Sequence, residues 1–101
     1  MRVMHRIIHK IAPDKWGEVL EWERKYGAIE APYGIPPKRF YRAVFGADDG
    51  DTLIVEQEWE SMADFEERYT KAAADPAWQK VDADSASVFL TIRHEIYAIL
   101  E

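Results

Sequence analysis

The sequence contains no cysteine, so it offers neither a disulfide framework nor a thiolate for nucleophilic or metal chemistry. It also lacks a basic block: 13 Lys and Arg residues face 19 Asp and Glu residues, giving a formal net charge of −6. Phosphate recognition needs clustered cations, so nucleic acid is not an expected partner. No apolar run approaches the length of a membrane span. The N-terminal MRVMHRIIHKI interleaves charge with apolar residues and has no secretory h-region. A cytoplasmic protein without a membrane partner is the expectation. There is no Gly-rich phosphate loop, no Ser nucleophile elbow and no HExxH. Histidine is scarce, confined to His5, His9 and His94.

Apolar residues make up 48% of the 101 positions and include four Trp, five Tyr and four Phe. That composition suits one folded domain over residues 1–101 with a modest core. RVMHRIIHKI (2–11) reads as a first strand stopped by Pro13. Pro13-Asp14 opens a helix in which Trp16, Val19, Leu20, Glu23 and Tyr26 share a stripe, with its end near 27–30. APYGIPPK (31–38) fits neither period and reads as a loop. RFYRAVFG (39–46), the turn ADDGD (47–51) and TLIVEQEWE (52–60) form a hairpin. Ser61 caps a second helix whose stripe is Met62, Phe65, Tyr69, Ala72 and Ala73. In ADPAWQKV (74–81) Asp75 caps a new start and Pro76 cannot continue the old one, so the axis turns and Trp78 and Val81 fold back. DADSAS (82–87) reads as a loop, and a last strand lies within 88–100, centred on 92–100. The order β-α-β-β-α-β predicts an α+β, ferredoxin-like fold: an antiparallel sheet of order 4-1-3-2 with its helices on one face.

Strand alternation divides the side chains between two faces. One set holds Val3, His5, Ile7, His9, Ile11, Tyr41, Ala43, Phe45, Leu53, Val55, Gln57, Trp59, His94, Ile96, Ala98 and Leu100, and being more apolar it is placed under the helices. The other still carries Met4, Ile8, Phe40, Val44, Ile54, Tyr97 and Ile99. An apolar patch of that extent on a free face predicts a twofold dimer with its sheets packed together. Arg6, Arg42, Glu56, Glu58 and Arg93 are interleaved there, and a wet rim is their expected place.

Three stretches resemble the dimeric α/β-barrel superfamily: IAPDKWGEVLEWE (11–23), VEQEWESMADFEERY (55–69) and ADPAWQKV, the last similar to an Asp-Pro-x-Trp element of NIPSNAP-like members. The superfamily also contains antibiotic-biosynthesis-monooxygenase-like oxygenases that need no cofactor, isomerases and haem-degrading enzymes. The resemblance implies a homodimer and a ligand pocket between sheet and helices. The haem branch supplies an axial His near the second helix; this chain has none between His9 and His94, so no cofactor is expected.

The histidines are the first chemical candidates. His5 and His9 lie roughly 13 Å apart on one strand at about 3.3 Å per residue, too far to share a metal. His9 and His94 are expected as cross-strand neighbours, but two imidazoles without a carboxylate or thiolate make a thin site, so no metal is expected. A place in the core or at its rim is the plain reading of all three; proton transfer by His9 or His94 is the catalytic alternative. Glu56 and Glu58 share a face, and pairing with Arg6 accounts for them better than paired-carboxylate chemistry does. Gln57, if covered, needs partners. His5, Tyr41, Gln57 and Trp59 are the expected lining of a pocket for a small apolar or aromatic molecule, with core packing the plain reading of Trp59. A filled space under the helices would mark a structural module, an open cavity a binding protein, and a cavity with a His of perturbed pKa an enzyme.

Overall fold

β-Branched and apolar residues at alternate positions drive Val3–Ile11 into the central strand β1, whose odd-numbered side chains are all buried. The computed structural model describes residues 1–46 and 50–101; most of the expected ADDGD turn therefore lies outside the described residues. A 3-10 turn, Pro13–Glu18, leads into α1, Val19–Glu30. A second, Ala31–Tyr33, leads by way of Gly34 to the short β2, Arg39–Arg42. β3 is Thr52–Trp59, α2 Met62–Ala73, α3 Pro76–Asp84 and β4 Phe89–Ala98. The strands pair antiparallel in the order β2-β3-β1-β4. This is the expected ferredoxin-like sheet, with the break at Asp75-Pro76 producing a third helix. Helix continues through Asp82–Asp84 where a loop was expected, because α3 runs to Asp84 before Ser85 ends it.

Ile7, Ile11, Val19, Leu53, Val55 and Val88 form the core, with Trp16, Trp22 and Phe89 packed against it. Trp22 therefore belongs to the covered side, whereas Leu20 is 59% exposed. The inward stripe of α1 is Val19, Glu23, Tyr26 and Glu30, spaced four, three and four residues apart. Two carboxylates thus sit where apolar residues usually do.

β2 reverses its expected parity. Phe40 lies opposite Val55 and Arg42 opposite Leu53, both on the helix side, while Tyr41 lies opposite Ile54 on the open face. An edge strand permits this: the Arg42 guanidinium lies over the Trp16 ring at 4.1 Å, keeping its charge near water while its stem covers apolar surface. The open face also departs from expectation. The expected pairing of Arg6 with Glu56 on β3 is present, at 2.8 Å, and Arg6 also meets Glu95 on β4 at 3.8 Å; the departure is that Arg6 and Glu56 lie in the middle of the face and not at a rim.

Candidate functional site

A register shift between Lys10 and Ile11 leaves Thr91 opposite Lys10 and Phe89 opposite Ile11, so Leu90 is the extra residue of a bulge in β4. Bulges re-aim side chains. Here Phe89 and Ile92 both reach a cavity of about 220 Å³ roofed by α1, α2 and α3. Tyr26, Tyr69, Trp78 and Phe89 supply its aromatic wall, and His9 stands on its sheet side. Trp78 is there because Asp75 restarts the helix: one Asp75 oxygen accepts the Ala77 N–H at 2.8 Å and the other the Tyr33 hydroxyl at 2.7 Å.

Three polar groups lining this cavity lack a hydrogen-bond partner among the described residues: His9 Nε2, the Tyr69 hydroxyl and, at the polar end, Glu23. His9 Nδ1 lies 3.1 Å from the Thr91 carbonyl, which can only accept, so Nδ1 carries the proton and Nε2 keeps its lone pair. Burial holds His9 well below an ordinary histidine, at about 4. The Tyr69 hydroxyl is the second group, and burial pushes it up to about 12. At neutral pH the cavity presents a neutral imidazole acceptor and a neutral phenol.

Glu23, Glu30 and Lys38 form its polar end and separate it from an outer groove lined by Leu20, Ile35, Pro36 and Phe40. Glu30 is satisfied twice, by Lys38 Nζ at 2.8 Å and by the Trp78 indole N–H at 3.1 Å. Glu23 is 3.9 Å from Lys38 and has no hydrogen bond among the described residues. Burial raises its carboxyl above the usual range, against the pull of Lys38.

The remaining expected site residues lie elsewhere. His94 does not pair with His9, which faces Ile92. It meets His5 instead, Nδ1 to Nε2 at 2.9 Å, with the rings edge to edge and 14° from coplanar. That separation is a hydrogen bond and leaves no room for a metal between the rings, since two bonds of about 2.0–2.1 Å would be required. Among the described residues no cluster of three or more His, Asp or Glu could hold an ion. The proton positions follow from the far end of the chain. The Pro36 carbonyl takes the Gln57 amide N–H at 3.1 Å, so Gln57 Oε1 accepts from His5 Nδ1, also at 3.1 Å. His5 Nε2 must then accept from His94 Nδ1, turning the His94 Nε2 lone pair outward. His5 is fully buried and held at about 4 by desolvation. Gln57 is thus satisfied by protein at both ends. Trp59, 2% exposed and edge-to-face with Phe65, is core beyond the cavity. Tyr41 is on the opposite face of the sheet.

Of the expected set, only His9 lines the cavity. Tyr69, Trp78, Glu23, Glu30 and Lys38 were not singled out as site residues, although Glu23 on an apolar helical stripe was a visible sign.

The likeness to known proteins extends over the whole chain. No curated protein matches it. Among solved structures it is similar to an uncharacterized NIPSNAP-like domain protein from Burkholderia xenovorans, with TM-score 0.82, 17% identity and coverage of 98% of this chain and 85% of that one. It is also similar to a NIPSNAP family protein from Agrobacterium tumefaciens, with TM-score 0.81, 23% identity and coverage of 100% and 95%. SnoaB, a cofactor-independent oxygenase from Streptomyces nogalater, shares the fold at TM-score 0.73, 13% identity and coverage of 99% and 94%. The NIPSNAP family model matches residues 5–100, and the chain therefore belongs to the NIPSNAP family.

Proposed function

We propose that this protein binds a small molecule with an apolar or aromatic body in the cavity between β4 and the helices, and that it works as a homodimer through the open sheet face. The observation that carries the binding reading is the pair of unpartnered groups, His9 Nε2 and the Tyr69 hydroxyl, set in an aromatic wall. Both groups open into the cavity, where a ligand hydroxyl or amine would pair them in place of solvent. Titration with 1-naphthol, followed by NMR, tests this. Saturable shifts confined to the His9, Tyr69 and Trp78 signals are expected; no shifts, or shifts confined to the open face, refute it.

A second reading is a small cofactor-independent oxygenase or isomerase in which His9 takes a proton. A cavity histidine of perturbed pKa favours it, as does the shared fold with SnoaB. The direction of the perturbation weakens it. Moving a proton from a phenol of ordinary acidity to a base near 4 is uphill by roughly 8 kcal/mol. His9 accepts hydrogen bonds more readily than protons, which ranks binding first. Oxygen uptake with a dihydroxynaphthalene, abolished by H9N, would reverse that ranking.

A further inference from the structure

The polar end of the cavity is short of positive charge. Three carboxylates, Glu23, Glu30 and Asp82, line it against one ammonium, Lys38. Lys38 is committed to Glu30 at 2.8 Å and is beyond hydrogen-bond range of Glu23 at 3.9 Å. Asp82 accepts from the Tyr26 hydroxyl at 3.0 Å. Glu23 alone is left with no donor, and its side chain is 5% exposed. An ionised carboxylate in that setting needs a cation or several N–H donors.

Two further observations suit the same occupant. The aromatic wall wraps: Trp78 meets Tyr26 at 59° and Tyr69 at 72°, with centroids 5.5 and 6.4 Å apart. Rings set at such angles pack edge to face on one another, and a ring face that opens to the cavity attracts a cation. Tyr26 already has the Lys38 ammonium 5.7 Å from its centroid. On the sheet side His9, 9% exposed, offers a bare Nε2 lone pair, an acceptor for an N–H donor.

We infer that the ligand of this cavity is a protonated amine on an apolar or aromatic body, its ammonium held by Glu23 and the surrounding rings. The inference rests on the cavity being the binding site and goes further in fixing the ligand's charge. A neutral ligand would leave Glu23 to meet its shortage by staying protonated, and the two cases separate experimentally. Benzylamine and benzyl alcohol have closely similar bodies and differ in charge at pH 7. Each is titrated by calorimetry into the wild type and into E23Q. Benzylamine should bind at least about tenfold more tightly than benzyl alcohol, as a hydrogen bond to a charged group implies, and E23Q should abolish that preference. Benzyl alcohol binding as tightly as benzylamine to the wild type overturns the cationic ligand and leaves the cavity reading standing. A preference that survives in E23Q overturns the role of Glu23. Binding of neither compound overturns this inference, and loss of 1-naphthol binding as well would remove the cavity reading beneath it.

Discussion

At the scale of single residues, the unusual feature is how many ionisable groups lie under the helices in neutral form. His5 and His9 are both held at about 4, chiefly by desolvation. The unfolded chain takes up those protons near 6.5, so between 6.5 and 4 it binds more protons than the folded chain and stability falls with acid. Both side chains are buried, and the loss reaches at most about 3 kcal/mol each. Glu23 runs the other way: its raised carboxyl contributes stability at low pH that is lost as pH rises through its folded value. Burial lowers His94 as well, so with three histidines against one carboxyl, urea denaturation should give a lower unfolding free energy at pH 4.5 than at pH 7. H9N should remove a substantial part, but not all, of the histidine contribution. A wild-type profile that is flat over this window would show that the imidazoles are not buried as described.

At the scale of elements, two helix starts that read alike in the sequence differ in what they hold. Ser61 caps α2 by accepting the Asp64 N–H at 3.1 Å, and S61A should destabilise the protein by about 1 kcal/mol. Asp75 caps α3 and also anchors Tyr33, tying the segment before β2 to the helix pair. D75A should therefore destabilise more than S61A, and a double-mutant cycle with Y33F should show coupling, whereas S61A with Y33F should be additive. Equal losses in D75A and S61A, with no coupling, would reduce Asp75 to a simple cap. Both caps were legible because the relevant partners are two or three residues away. The hold on Tyr33 was not, because it joins positions 42 apart. The same division runs through the site. The sharing of a face by His5, His9 and Gln57 follows from the strand period alone. Lys38 lies 2.8 Å from Glu30 across a turn in which Gly34, at φ 74°, takes the left-handed region, so no helix or strand period relates the two. Tyr41 was misplaced because the parity of a four-residue edge strand is set by what packs beside it, here Phe40 and Arg42.

At the scale of the whole molecule, the helices cover one side of the sheet only. On the other side Met4, Ile8, Ile54 and Ile99 are only partly buried, and Tyr41 and Tyr97 are 45% and 43% exposed. Charge in the middle of such a face ordinarily opposes burial. Here Arg6, Glu56, Glu95 and Arg93 are already joined to one another within the subunit, at 2.8, 3.8 and 3.6 Å. Two cations and two carboxylates form one neutral group, so a second subunit could cover the face without supplying counter-charges. A stable interface of that kind buries about 1,600 Å² in total, which requires much of the face. I54K places a charge beside Ile8, where the lone subunit exposes the side chain enough to solvate it but a packed pair of sheets would not. Native mass spectrometry at micromolar concentration should show a wild-type dimer and an I54K monomer with unchanged far-UV circular dichroism. A monomeric wild type would refute the homodimer. A dimeric I54K would move the interface off this face, and the strongly exposed Val44 and Phe45, at 94% and 97%, would then be the next surface to mutate.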